Sequence, residues 1–132
     1  MGRNRINRRN FIKTTGTSGA ALAAAAAIGK AGVAANDKIQ MGLIGCGGRG
    51  SHLMMMMKEI DPAVEFTALC DVYEPKRKAA AEKAGGNPQQ FVDHRKLLEL
   101  KDLDAVVIAS PEHMHGTQVI DAVGAGKDVY VE

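Results

Sequence analysis

The sequence predicts an α/β fold, a doubly wound parallel sheet of about five strands, on three observations. Short apolar runs alternate with helix-forming stretches along residues 39–132. One run, Ala105-Val106-Val107-Ile108-Ala109, is apolar at every position, as a strand covered on both faces must be. Aromatic residues make up 4% of the chain and Trp is absent, which leaves Val, Ile, Leu, Ala and Met to build a core of the kind parallel sheets bury. At 132 residues, 45% hydrophobic and 24% charged, the chain has the size and composition of one globular domain.

The first element is a strand, Ile39 to Ile44, that empties into Gly45-Cys46-Gly47-Gly48-Arg49-Gly50. Glycines 45, 47 and 50 match G-x-G-x-x-G: the first allows a tight turn, the second lets backbone approach a pyrophosphate, and the third lets the next helix pack close. That helix is expected over Arg49 to Ile60, with first-turn amides and the positive dipole end offered to an anion. Met54 to Met57 within it read as half core and half exposed. The second strand, Val64 to Cys70, ends at Asp71, twenty-one positions beyond Gly50, where the fingerprint places a carboxylate for the ribose hydroxyls. Turn and acid together make the fold Rossmann-like and NAD the expected cofactor, with NADP disfavoured by the charge of Asp71.

A helix follows from Pro75 to Ala84, with proline in its first turn and Gly85 and Gly86 closing it. Its Lys76, Arg77 and Lys78 read most simply as a solvated face, with contact to a ribose 2′-phosphate as the alternative. Gln90 to Val92 form a short third strand, and Asp93 caps a helix through Leu98 that carries His94 on its exposed side. The fourth strand, 105–109, ends in the loop Ser110-Pro111-Glu112-His113-Met114-His115-Gly116. A helix from Thr117 to Val123 and a fifth strand from Val129 to Glu132 complete the pattern. Asp71, the segment Ser110 to His115 and Glu132 thus fall at carboxyl ends of strands, where such sheets bind their ligands. Cys46 and Cys70 end neighbouring strands and read as small buried hydrophobes rather than a disulfide. His113 and His115 lack a third ligand at metal spacing, so no metal is expected.

Charge is unevenly placed. Residues 1–35 hold six Lys or Arg and no acid, which leaves 11 basic against 15 acidic residues in 36–132, a net of −4, and no basic patch to suggest nucleic acid. The basic start, Arg8-Arg9-Asn10-Phe11-Ile12-Lys13, precedes an alanine-rich run too short and too rich in Gly and Thr to span a bilayer. It resembles the twin-arginine export signal, R-R-x-F-[LI]-K, with Asn7 where Ser or Thr is usual. The resemblance implies a signal peptide over 1–35, cleavage near Ala34 or Ala35, and a bacterial protein met by the twin-arginine machinery. It also implies a periplasmic or membrane-surface location.

The glycine turn, Cys70-Asp71, Ala109-Ser110-Pro111-Glu112-His113-Met114-His115 and Tyr130-Val131-Glu132 together resemble the Gfo/Idh/MocA oxidoreductases over residues 38–132. In that family the fourth strand leads into A-T-P-x-x-x-H; Ser110 takes the Thr position and His115 the closing His. The resemblance implies a nicotinamide-dependent oxidoreductase of a sugar or polyol. On it Gly45, Cys46, Gly47, Gly48, Arg49, Gly50, Asp71, Ser110, Pro111, His115 and Glu132 are the cofactor-binding residues. An NAD-dependent glycosidase and a non-catalytic nucleotide-binding fragment are the alternatives. Family members continue from the fifth strand into E-K-P, whose lysine serves in catalysis, and into an open-faced β-sheet domain that holds the substrate. This chain stops at Glu132, so the expectation is a fragment with no catalytic residue of its own. Its small-molecule, sugar-like substrate would be held by the missing domain, and whether the full-length protein forms a homo-oligomer is left open.

Overall fold

The structure, a computed structural model, describes residues 38–132; the expected signal peptide lies outside the described residues. Five strands, β1 (Ile39–Ile44), β2 (Val64–Cys70), β3 (Gln89–Phe91), β4 (Ala105–Ile108) and β5 (Asp128–Val131), form one sheet. Every pairing is parallel and the order is β3-β2-β1-β4-β5. The chain builds outward from β1 to β3 and then returns to lay β4 on the other side of β1. That reversal opens a crevice between the carboxyl ends of β1 and β4.

Four helices connect the strands: α1 (Gly48–Ile60), α2 (Glu74–Ala84), α3 (His94–Leu98) and α4 (Glu112–Gly124). Alternation along the strands splits the core into two layers. On one face Met41, Leu43, Phe66, Leu69 and Val107 meet Leu53 and Met54 of α1 and Ala80 and Ala84 of α2. On the other, Ile44, Ala68, Val106 and Ile108 meet Leu97 and Leu98 of α3 and Ala122 of α4. Each large apolar side chain buried this way contributes about 1.5–3 kcal/mol. Met54 is fully buried while Met55 and Met56 are exposed, as a methionine run covering a full helical turn requires. Among the described residues no helix is long and apolar enough to cross a membrane.

Several boundaries differ from the sequence reading. Helix α4 starts at Glu112 rather than Thr117, because Pro111 (φ −58°) sets up its N-terminus and the chain turns helical at once. His113 and His115 therefore lie in a helix and not in a loop. Strand β3 runs one residue earlier than expected, and β5 ends at Val131, leaving Glu132 just beyond it. His94 is 7% exposed rather than on the outer side of α3, since its Nε2 donates to Asp121 Oδ2 of α4 at 2.8 Å.

Candidate functional site

The ladder continues past the strand ends and brings the site together. Gly45 N donates to Cys70 O at 2.8 Å, Ala109 N to Ile44 O at 2.8 Å and Asp71 N to Phe91 O at 3.2 Å, so the glycine turn, Asp71 and Ser110 emerge side by side. Gly45 has φ +96°, and a Cβ there would lie 2.6 Å from the Ala109 carbonyl. A Cβ on Gly50 would lie 2.0 Å from Gly45 O, so here the protein's own backbone forbids a side chain. Gly47 and Gly48 are different: no atom lies within 4 Å of a Cβ on Gly48, and only the Lys76 ammonium, at 3.9 Å, approaches one on Gly47. The face above these two is open, and α1 begins beneath it with no side-chain cap and no acid in its first turn. Bare amides and a helix dipole under open space form a cradle for an anion.

Asp71 anchors this turn. Its Oδ2 accepts from Cys46 N and its Oδ1 from Tyr73 N, both at 2.8 Å, and each oxygen keeps a lone pair for a further donor such as a ribose hydroxyl. Cys46 thus contributes its backbone, while its thiol donates to Cys70 O at 3.5 Å. Both cysteines are buried free thiols. Burial first, and the Asp71 carboxylate second, push each of them up to about 12.

The basic cluster of α2 does not simply face water. Arg77 reaches back so that its Nη1 donates to Asp71 O at 2.6 Å, and its Nε is buried without a partner among the described residues. Lys76 is exposed, its ammonium 3.9 Å from where a Cβ on Gly47 would lie, and Lys78 is exposed as well, paired with Glu74 one turn earlier. The solvated-face reading holds for Lys76 and Lys78 and misses Arg77, because position along α2 says nothing about the turn folded beside its first residues.

Arg49 and Glu132 meet across the crevice, Nε donating to Oε1 at 2.6 Å. That bond holds the Glu132 carboxyl below its ordinary range and raises the Arg49 guanidinium further. Ser110 and His115 hold the turn after β4: His115 Nε2 donates to Ser110 O at 2.6 Å, and Ser110 Oγ donates to Gln118 Oε1 at 2.5 Å.

Beside Asp71, on the α3 and α4 side of the sheet, lies a cavity of about 300 Å³, at the lower end of the range for ligand pockets. Val72, Val92, Pro111 and Met114 give it apolar walls, and Gln118 and His94 supply polar groups. Sequence reasoning missed Gln118, which is 5% exposed; the signal was its place in the i, i+4 row Met114, Gln118, Ala122 that faces the sheet. Among the described residues no three His, Cys, Asp or Glu side chains gather as a metal site would require.

A parallel sheet with a crevice at its switch point, an anion cradle and an acid beside an apolar cavity define a dinucleotide-binding α/β domain. The family of oxidoreductases with an NAD-binding Rossmann fold, Gfo/Idh/MocA, matches residues 39–132, and the chain belongs to that family. A glycosyl hydrolase family 109 protein of Shewanella sp. strain ANA-3 is 34% identical over 152 aligned positions, which cover 96% of this chain and 33% of that relative. The WlbA dehydrogenase from Bordetella pertussis, solved with NADH and UDP-GlcNAcA, superposes with a TM-score of 0.64 at 28% identity, covering 71% of this chain and 28% of that one. KijD10, a 3-ketoreductase from Actinomadura kijaniata solved with NADP, gives 0.62 at 31% identity over 71% of this chain and 29% of its own. The chain spans about a third of the length of the curated relatives it matches.

Proposed function

We propose that this chain is the cofactor-holding part of an exported oxidoreductase that moves hydride between NAD(H) and a hydroxyl carbon of a sugar or polyol. The carrying observation is the open face over Gly47 and Gly48, which no protein side chain fills and which lies between the uncapped start of α1 and the Asp71 carboxylate. The pyrophosphate would rest on that face, the adenosine ribose on Asp71 and the base in the cavity lined by Val72 and Pro111. Bound nicotinamide supplies hydride transfer, and the residues here position it. Titration of the protein with NADH and NADPH tests this reading. NADH should bind more tightly by about ten- to hundredfold, the effect of setting a 2′-phosphate against Asp71. Failure to bind either nucleotide removes the proposal, and tighter NADPH binding would transfer control of the ribose to Lys76 and Arg77.

The relative named as a glycosyl hydrolase favours a second reading, in which the same hydride chemistry is transient and a glycosidic bond is cleaved. Release of the alcohol from an aryl glycoside without net NADH formation, in the protein that carries this chain, would select it. Export is tested by replacing Arg8 and Arg9 with lysine. The precursor should then remain uncut inside the cell, and unchanged processing would refute a twin-arginine route.

A further inference from the structure

The cavity beside Asp71 carries a donor that the proposed function leaves unused. Gln118 is nearly buried in its wall, and its Oε1 is occupied by the Ser110 hydroxyl at 2.5 Å. An O···O contact of that length requires the serine to donate, which fixes the amide so that its Nε2 hydrogens point away from Ser110. Among the described residues Nε2 donates to no protein acceptor, and it is not among the side-chain atoms sealed from solvent without a partner. Its remaining outlet is the cavity. A donor held in a mostly apolar pocket is costly unless a ligand acceptor or water meets it.

Resting on the nucleotide-binding reading, we infer that Gln118 is the residue that selects the base, donating from Nε2 to the unprotonated ring nitrogen N1 of adenine. Hypoxanthine and guanine carry a proton on that nitrogen and would set N–H against N–H. Ser110 is the positioning residue: its hydroxyl keeps the amide from rotating to present its oxygen, which would favour the protonated bases.

The experiment compares the binding of NADH with that of reduced nicotinamide hypoxanthine dinucleotide, which share ribose, pyrophosphate and nicotinamide. The unmutated protein should bind NADH at least about tenfold more tightly, the cost of leaving the buried donor opposed. Gln118→Leu, close in volume and apolar, should bring the two constants within about twofold, and Ser110→Ala should narrow the gap without abolishing binding. Equal binding of both nucleotides by the unmutated protein overturns the inference with no variant needed. So does a folded Gln118→Leu protein that keeps the full adenine preference. Binding of neither nucleotide is a separate result, which refutes the nucleotide reading itself.

Discussion

Gly50 and Gly48 lie two positions apart in one turn and obey different constraints. Gly50→Ala places a methyl group 2.0 Å from the Gly45 carbonyl oxygen. It should destabilise the fold by about 1–3 kcal/mol or more, read as a lower midpoint in urea unfolding. Gly47→Ala meets only a lysine tip at 3.9 Å, so the urea midpoint should stay put while NADH affinity falls on the order of tenfold. If affinity is unchanged, nothing approaches that face. Cys46 and Cys70 make a third residue-level test. Their pKa values are raised from 9.0 to about 12, so the stability that rests on neutral thiols is complete below pH 9.0 and is lost as pH rises toward 12. A thiol reagent at pH 8 should leave both unmodified in the folded protein and label both in denaturant; quick labelling of the folded form would contradict their burial.

Between elements, the contact of α3 with α4 depends on His94 and Asp121. The hydrogen bond from His94 holds the Asp121 carboxyl below its ordinary 3.8. A lowered acid stabilises the fold above its unfolded value, and that contribution disappears as pH falls through the folded one. Asp121→Asn should therefore lower the melting temperature at neutral pH and match the parent protein in strong acid, where a persisting difference would exclude the hydrogen-bonded carboxylate as its cause. On the other face, Lys76→Ala should weaken NADPH binding more than NADH binding, and equal losses would limit Lys76 to the pyrophosphate they share. Strands were legible at this scale wherever both faces are covered, since Val106 to Ile108 admit no other reading. Helix α3 was legible in its extent and its Asp93 cap but not in its facing, because five residues give too little periodicity to tell its inner face from its outer one. The start of α4 was hidden by Ser110-Pro111 and Gly116, which look like loop punctuation although Pro111 here begins a helix.

For the molecule as a whole, the doubly wound sheet and the position of Asp71 and Ser110 at its carboxyl edge could be read from the alternation of strands and helices. The reach of Arg77 back to Asp71 and the polar wall at Gln118 could not, because both depend on which element lies beside which. NADH should also raise the melting temperature of the entire domain as its concentration exceeds the dissociation constant, since only the folded sheet assembles the crevice. The strand order has one more consequence, for the sequence of events in synthesis. β1 emerges first from the ribosome yet occupies the middle of the sheet, and its second neighbour, β4, begins 61 positions after β1 ends, at Ala105. Until then Leu43 and Ile44, both fully enclosed in the finished protein, lie along a bare strand edge. The nascent chain should stay unfolded, and dependent on holding factors, until β4 arrives. A chain ending at Asp104 should show no cooperative melt and should bind a hydrophobic dye, whereas a cooperative melt in that fragment would mean that β1 to β3 can fold without their missing neighbour.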